Sequence, residues 1–302
     1  MYTISYRHYD QCLNLVPQCF KMSTICMNPF QLKECDGGHK VPCGKCINCK
    51  SRRASTWSSR LMKEYERSQT GYFITLTYDT NYVPITDKGF MSLDKRHLQT
   101  FFKRLRLWHT DSSLKYYAVG EYGGKTFRPH YHIILFNANI EFIEKSWSDC
   151  VNKKKAIFRK LGAVHYGTLT DASVGYTLKY ISKAKRIPLH QNDDRIPEFS
   201  LMSKGIGLNY LTPKQIQWHL EKPSERMYIP MKDGKKAPLP RYYKERIYSP
   251  EMKEQAAMYW KRKADIEKEK EILEYGDNYQ YFKEQQFLNG QKKLNKIETL
   301  KL

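Results

Sequence analysis

Two histidines, His130 and His132, lie one residue apart in a stretch that is otherwise mostly apolar. Successive side chains of a β-strand point to opposite faces, so both imidazoles would project from the same side. Imidazole nitrogens are common ligands of divalent metals, and a strand end would hold two of them side by side. Two hydrogen-bonded histidines on a half-buried strand are the alternative, and the pair alone does not exclude it.

A carboxylate is expected beside these histidines. Glu121 ends one predicted strand and His130 begins the next, with a loop between them. Closure of this loop as a β-hairpin brings Glu121 next to both imidazoles. One carboxylate and two imidazoles hold a divalent cation and leave positions open for substrate oxygens, as a catalytic metal requires. A solvated carboxylate at a strand end is the alternative.

Two tyrosines one helical turn apart, Tyr176 and Tyr180, are candidate nucleophiles. They lie in a predicted helix over residues 171–185, on the face opposite to its apolar positions. A phenol with a pKa near ~10 is a weak nucleophile without help. A metal that polarises a phosphate would help, as would Lys179 and Lys183 by stabilising phenolate or developing charge. Amphipathic packing alone also produces tyrosines at this spacing.

Closely spaced cysteines in the N-terminal part have the pattern of a second metal site. Cys43, Cys46 and Cys49 are separated by two residues each, and Gly44 permits the tight turn. With Cys35 as the fourth ligand, the thiolates would form a tetrahedral Zn²⁺ site. One alternative is the start of an iron–sulfur loop, although no further cysteine follows at the usual spacing. The other is a loop with reduced cysteines.

The charge balance indicates a polyanionic partner. The 302 residues contain 52 Lys and Arg against 31 Asp and Glu, a formal net charge of +21. This surplus would be costly self-repulsion without a polyanion, and nucleic acid is the first candidate. An anionic membrane surface is the competitor, but no apolar run approaches the ~20 residues that span a bilayer. No secretory signal pattern is recognised, so the eight cysteines are expected to be thiols or metal ligands.

Four basic residues are candidates for contacts with DNA phosphates. Arg52 and Arg53 lie in a predicted basic helix over residues 50–68, and Lys125 and Arg128 lie in the predicted hairpin loop. Lysine and arginine side chains neutralise phosphates and release their counterions. A solvated helix face is the alternative for the charges of the basic helix.

The periodicity predicts an α+β fold built on an antiparallel sheet. The predicted strands are 72–78, 114–120, the histidine strand and 163–169. The predicted helices are one capped by Ser92 or Asp94, one marked by Ile143, Trp147 and Val151, and the helix over 171–185. The order β-α-β-β-α-β is the split βαβ, ferredoxin-like arrangement, with helices on one face and the other face free for a ligand.

Three parts of the chain are expected. They are a Cys-rich segment over 1–69, the sheet domain over 70–215, and a basic, partly helical extension over 216–302. Within the extension, mixed charges predict a helix over 251–274. Near the end of the sheet domain, Gly205-Ile206-Gly207 is a weak signal for backbone that approaches a phosphate.

Three motifs, in order along the chain, resemble those of HUH endonucleases, which initiate rolling-circle replication. They are Phe73-Ile74-Thr75-Leu76-Thr77, Pro129-His130-Tyr131-His132 and Tyr176-Thr177-Leu178-Lys179-Tyr180-Ile181-Ser182-Lys183. The third motif, with two tyrosines, resembles the initiators of small single-stranded DNA phages. The Cys-Gly-x-Cys-x-x-Cys and Gly-Ile-Gly segments further resemble the gokushovirus group of microviruses. The resemblance covers about residues 35 to 210.

This resemblance implies a metal-dependent nickase and strand-joining enzyme. His130 and His132 would bind Mg²⁺ or Mn²⁺, and Glu121 is similar in placement to the third ligand of related initiators. Tyr176 or Tyr180 would attack the scissile phosphate, leaving a 5′-phosphotyrosine and a free 3′-hydroxyl that primes synthesis. The other tyrosine would cut the regenerated origin, and the released 3′-hydroxyl would close the circle.

The remaining residues and partners follow from the same resemblance. Lys179 and Lys183 would contact phosphate or stabilise charge, and the first-motif strand would support the site and bind DNA. The expected partners are single-stranded and origin DNA, in the cytoplasm of a bacterial host, with no membrane and no small-molecule substrate. The sequence contains no G-x-x-x-x-G-K-[ST] phosphate loop, so unwinding would need a host helicase alongside the host replication machinery.

Two other functions remain open from the sequence. A related HUH transposase or plasmid relaxase would share the chemistry but act on different DNA. A non-catalytic module for single-stranded nucleic acid would explain the charge and the aromatic residues, because a sheet that displays aromatics can stack on bases. That module leaves the His-Tyr-His strand and the paired tyrosines without a role.

Overall fold

The computed structural model describes residues 26, 28–31, 40–108, 113–152, 157–170, 173–175, 177–178, 187–231, 234 and 236–299. The chain divides into two compact units. One is Arg60–Tyr210, and the other combines the chain up to Ser59 with the chain from Leu211 onward.

The regular elements are numbered in chain order. The strands are β1 (Phe30–Gln31), β2 (Lys40–Val41), β3 (Gly71–Thr77), β4 (Lys115–Tyr122), β5 (Pro129–Phe136), β6 (Ser148–Asn152), β7 (Ile157–Lys160), β8 (Val164–Thr168), β9 (Phe199–Met202), β10 (Tyr228–Pro230) and β11 (Lys236–Pro238). The helices are α1 (Ile47–Tyr65), α2 (Lys95–Leu107), α3 (Ile140–Ser146), α4 (Pro213–Glu221), α5 (Arg241–Ile247), α6 (Pro250–Tyr275) and α7 (Tyr279–Thr299).

A five-stranded sheet in the order β8-β3-β5-β4-β9 forms the centre of the first unit. Every neighbouring pair in it is antiparallel. The predicted strands and their antiparallel pairing are confirmed, and so is the α+β class. The strand with the two histidines is the central strand, so it is paired along its length on both sides and is held rigidly.

One face of the sheet packs against α2 and α3 in a continuous hydrophobic core. Alternate residues of the central strand, Tyr131, Ile133 and Leu135, are fully buried there. Helix α2 begins at Asp94, whose carboxylate accepts hydrogen bonds from the first-turn N–H groups of Arg96 and His97. The predicted cap and the helical period of the buried residues are both confirmed.

The helix predicted through Ile143, Trp147 and Val151 is shorter than expected. Helix α3 ends at Ser146, and Val151 lies instead in β6, which pairs with β7 as a separate hairpin. The buried Trp147 indole donates a hydrogen bond to the Thr77 carbonyl, 2.9 Å away, and so ends the helix against β3. Val151 is 57% exposed, so its spacing in the sequence imitated a helical face that does not exist.

The second face of the sheet is free only in part. At the end away from the histidines, Tyr117, Ile134 and Phe136 are at most 1% exposed. The last turns of α1 contact this end, because a Cβ on Gly71 would lie 2.6 Å from the Tyr65 ring. The expectation of an open ligand face therefore holds only toward the end that carries His130.

The Gly205-Ile206-Gly207 segment is committed to contacts within the protein. The Gly207 N–H donates to the buried Glu64 carboxylate at 2.6 Å. The Arg60 guanidinium donates twice to the Ile206 carbonyl, at 2.9 and 3.1 Å. These groups attach the segment to α1, so the weak expectation of a phosphate-binding backbone is not supported.

The second unit contains short strands and the C-terminal helices. Strands β10 and β11 pair, and the predicted helix over 251–274 is confirmed as α6. The chain continues into α7 after a turn at Gly276, which has φ of 49°. Among the helices within the described ranges, none has both the length and the apolar composition needed to cross a bilayer.

Candidate metal centre

Backbone pairing brings Glu121 and the two histidines together. Strands β4 and β5 form the predicted hairpin, in which Glu121 lies directly opposite His130 and Val119 lies opposite His132. The turn closes through a hydrogen bond from the Gly123 N–H to the Arg128 carbonyl, at 3.0 Å. The three side chains share one face because their positions alternate in step along the two strands.

The three ligand groups converge on one point. The Oε1 atom of Glu121 is 2.7 Å from Nε2 of His130 and 3.0 Å from Nε2 of His132. Glu121 and His132 are each 7% exposed, whereas the His130 side chain is 20% exposed. Two ligands at right angles around a cation with bonds of about 2.1 Å lie about 3.0 Å apart, so these separations fit a shared divalent ion.

The hydrogen bonds of His130 indicate a cation between the groups. Its Nδ1 is 3.2 Å from the Arg128 carbonyl, which only accepts, so Nδ1 carries the proton. In the neutral ring Nε2 then presents a lone pair to the Glu121 carboxylate, which also only accepts. A proton or a metal ion must therefore lie between them. This requirement makes the donor set suitable for a divalent metal.

His132 is oriented by two residues of β3. The Thr75 hydroxyl is 2.9 Å from Nδ1 of His132, which leaves Nε2 facing Glu121. The Phe73 ring stacks on the imidazole, with centroids 5.7 Å apart and an interplanar angle of 13°. Gly167 on β8 makes room for this ring, because a Cβ there would lie 2.9 Å from it. Such outer contacts fix the orientation of a metal-binding imidazole.

The charge state of Glu121 is set by its neighbours. Burial by itself raises the pKa of the Glu121 carboxyl, since a charged group loses hydration. The hydrogen bonds from His130 and His132 outweigh burial and hold the pKa below its ordinary value. The carboxylate is thus ionised at neutral pH, as a ligand for a cation must be.

A buried tyrosine network supports the site from beneath. Tyr131, between the two histidines in sequence, points into the core and donates to the Asp94 carbonyl at 2.8 Å. Its hydroxyl also accepts from the Asp94 N–H and lies 2.9 Å from the Tyr78 hydroxyl. Burial raises the pKa of both phenols, so they remain neutral. The network ties the histidine strand to the start of α2.

The predicted nucleophiles lie outside the described residues. They and the nearby lysines are Tyr176, Lys179, Tyr180 and Lys183. In the same segment, residues 173–175 and 177–178 are helical, and Val174 and Leu178 are at most 2% exposed. The apolar face predicted for this helix is therefore buried as expected at these two positions.

A second group of possible metal ligands lies in the other unit. Its four thiols are within 4.8 Å of one another and belong to Cys26, Cys43, Cys46 and Cys49. Cys35, the expected fourth ligand, lies outside the described residues. The sequence did not single out Cys26, because it stands 17 residues before Cys43 in a segment without periodicity, as do other cysteines.

The basic residues expected to contact DNA are in different situations. Arg128 donates to the Tyr78 carbonyl at 2.7 Å and to the Thr80 hydroxyl at 3.2 Å, so it stabilises the hairpin loop. The Arg52 guanidinium lies 4.0 Å from the Cys49 sulfur. Arg53 and Lys125 are exposed to solvent.

Comparison with known proteins places these features among phage replication proteins. The family described as replication-associated protein ORF2 matches residues 71–185, which include the sheet and the candidate metal centre. The chain is 30% identical over 218 residues to replication-associated protein ORF2 of Spiroplasma virus 4, covering 68% of this chain and 67% of that protein.

Two further relatives are similar over comparable stretches. Replication-associated protein VP4 of Bdellovibrio phage phiMH2K is 28% identical, covering 68% of this chain and 66% of its own. Replication-associated protein ORF4 of Chlamydia phage 1 is 27% identical, covering 58% of this chain and 48% of its own. No solved structure is significantly similar to this chain.

Proposed function

This chain belongs to the family of phage replication-associated proteins, and on that premise we propose that it is a metal-dependent endonuclease that nicks and rejoins one DNA strand to start and end rolling-circle replication. The observation that carries the proposal is the convergence of Nε2 of His130, Nε2 of His132 and the Glu121 carboxylate on one point. A non-catalytic binding module has no use for this buried, oriented ligand set.

The proposed cation is Mg²⁺ or Mn²⁺. A carboxylate and two imidazoles suit Mn²⁺, and Mg²⁺ also binds to sites that contribute few protein ligands. When bound, the ion supplies Lewis-acid polarisation of the scissile phosphate. Thr75 and Phe73 hold the His132 ring in its orientation, and the Arg128 carbonyl does so for His130. The rigid sheet thus keeps the ligands preorganised for a phosphate oxygen.

The proposed nucleophile is Tyr176 or Tyr180. Its phenolate oxygen would form a bond to phosphorus while the bond to the 3′-oxygen of the preceding nucleotide breaks. Lys179 and Lys183 would stabilise the phenolate and the charge that develops on the phosphate. In the reverse direction, a 3′-hydroxyl attacks the phosphotyrosine and releases the phenol, so the same groups join the strand ends.

The proposed partners follow from the family and the charge. A formal net charge of +21 favours single-stranded and origin DNA as the substrate. We place the reaction in the host cytoplasm, with a host helicase and the host replication machinery performing unwinding and synthesis. A transposase or relaxase would use the same chemistry, but the matched relatives are replication-associated proteins of phages.

For the cysteine group we propose Zn²⁺ as a structural ion. Four thiolates at bonds of about 2.3 Å around tetrahedral zinc have sulfurs about 3.8 Å apart. The sulfurs of Cys26 and Cys46 are 3.9 Å apart. The Cys43 sulfur accepts from the N–H groups of Lys45 and Cys46, at 3.4 and 3.3 Å, which stabilises a thiolate in a tight turn. Four sulfur ligands leave no open position, as expected for a structural site.

The decisive experiment is the detection of a covalent adduct between the protein and labelled origin DNA on a denaturing gel with Mn²⁺. We expect the adduct with the wild type and with two exposed control variants, His190→Ala and Tyr281→Phe. We expect none with the double variants His130→Ala with His132→Ala and Tyr176→Phe with Tyr180→Phe. An adduct that persists in either double variant, or tight binding without any wild-type adduct, would overturn the proposal.

A further inference from the structure

The hairpin of β6 and β7 exposes apolar side chains without an evident role in the core. Val151, Ile157 and Phe158 are 57%, 48% and 54% exposed. Val151 is the extra residue of a β-bulge, because the register shifts between Cys150 and Asn152. Exposed apolar side chains grouped on one short hairpin indicate a contact surface rather than a contribution to folding.

Cationic side chains surround these apolar groups. Residues 148–160 contain five Lys and Arg side chains and one Asp. The Arg104 guanidinium lies 5.1 Å from the centroid of the Phe158 ring, and the Arg159 guanidinium lies 4.3 Å from that of the Tyr82 ring. Lys160 is exposed and pairs with Glu144 at 3.3 Å, a surface pair that contributes little stability.

The base of the hairpin is anchored at the end of the sheet that carries His130. Leu161 follows β7, and its carbonyl accepts from the Asp79 N–H at 2.8 Å. A Cβ on Gly162 would lie 2.0 Å from the Thr77 carbonyl oxygen, so the chain returns directly against the end of β3. Thr77 lies opposite His130 in the register of β3 and β5. The hairpin thus arises beside the candidate metal centre.

We propose that the β6–β7 hairpin binds the single-stranded DNA that flanks the scissile phosphate. A base would stack on the Phe158 ring, whose other side faces the Arg104 guanidinium, while Arg159 and Lys160 contact phosphates. Aromatic stacking beside cations suits a single strand, because every base offers a ring face and every nucleotide a negative charge. The inference rests on the proposed function, since it assigns the position of the substrate at that site.

The test measures DNA affinity separately from cleavage. Fluorescence anisotropy with a labelled origin strand is recorded in EDTA, in the Tyr176→Phe with Tyr180→Phe background, so that no adduct forms. We expect Phe158→Ala to weaken binding about tenfold and Phe158→Trp to restore it. The matched control is Tyr281→Ala, an exposed aromatic residue of α7, and it is expected to bind like the parent.

The cationic residues are tested through the salt dependence. Each phosphate contact on a single strand contributes about 0.7 to the slope of log K against log salt. The double variant Arg159→Ala with Lys160→Ala is therefore expected to lower the slope by about 1.4. Unchanged affinity in Phe158→Ala together with an unchanged slope in the double variant would overturn the hairpin proposal.

The two proposals fail in different ways. If wild-type protein forms the adduct but the hairpin variants bind DNA normally, the hairpin assignment is wrong and the nickase proposal stands. If the hairpin variants lose affinity but the wild type forms no adduct, the hairpin binds DNA and the nickase proposal is wrong. Circular dichroism of each variant checks that the fold is retained, which these exposed positions permit.

Discussion

Glu121 and His130 lie directly opposite each other on β4 and β5, and the carboxylate Oε1 is 2.7 Å from the imidazole Nε2. Their separation is set by backbone hydrogen bonds of the central sheet rather than by a loop. Sites built on strands hold their ligands more closely to the required geometry than sites built on loops. The candidate metal centre is therefore a property of the fold, and its predictions concern single side chains that leave the fold intact.

Replacing Glu121 with Gln removes the negative charge and keeps the size of the side chain. Because the charged oxygen lies between both imidazoles, we expect the Kd for Mn²⁺ to rise about 100-fold or more. Isothermal titration calorimetry with Mn²⁺ at fixed pH measures this change. Glu141→Gln, at an exposed glutamate of α3, is the control. Equal affinities in the two variants would show that Glu121 is not a ligand.

Replacing Thr75 with Val removes the hydroxyl that orients His132. The shape of the side chain is kept, so the expected effect is a looser imidazole and a Kd for Mn²⁺ about tenfold higher. The control is Thr77→Val on the same face of β3, because the Thr77 hydroxyl contacts the Ala163 carbonyl and not a histidine. If both variants bind Mn²⁺ equally well, Thr75 does not position the ligand.

The sequence supports the site better than its surroundings. Alternation along β5 and the loop after Glu121 were sufficient to place Glu121, His130 and His132 together, because strand period and hairpin closure are local rules. The end of α3 was not predictable in this way. It depends on the Trp147 indole reaching the Thr77 carbonyl, 70 residues away along the chain.

The Gly205-Ile206-Gly207 segment shows a second limit of sequence reasoning. Glycines with φ of 74° and 76° are equally suited to binding an anion and to packing closely against another element. What decides is the buried Glu64 carboxylate, 143 residues away along the chain, which takes the Gly207 N–H. Long-range partners of this kind have no signature in local spacing.

Replacing Glu64 with Gln tests that long-range contact. The Glu64 side chain is 3% exposed and accepts from the Lys115 ammonium at 2.9 Å and from the Gly207 N–H at 2.6 Å. Removing one partner of a buried ion pair leaves the other charge uncompensated, so we expect a loss of about 3–5 kcal/mol in the free energy of unfolding. Urea denaturation measures it.

The surface ion pair of Lys63 and Glu66 provides the control for this measurement. The Glu66 side chain is 47% exposed, so Glu66→Gln is expected to change the free energy of unfolding by less than about 1 kcal/mol. Equal effects of Glu64→Gln and Glu66→Gln would show that the buried pair does not hold the Gly205-Ile206-Gly207 segment in place.

The identity of the fourth cysteine ligand provides the last test. Cys26 and Cys35 both precede the Cys43, Cys46 and Cys49 triplet, and only geometry distinguishes them. Because the Cys26 sulfur is 3.9 Å from that of Cys46 and accepts the Cys43 N–H at 3.2 Å, we expect Cys26→Ser to abolish stoichiometric Zn²⁺ binding. Cys35→Ser should retain one Zn²⁺ per chain.

Zinc content by mass spectrometry under native conditions measures both variants, with Cys150→Ser in β6 as a control outside the cluster. Chelation of the wild type should lower the Tm, because an ion that binds only the folded state stabilises that state. The Tm of Cys26→Ser should not respond to the chelator. Zinc retained in Cys26→Ser but lost in Cys35→Ser would exchange the two roles, and a wild type purified without zinc would exclude a structural zinc site at these thiols.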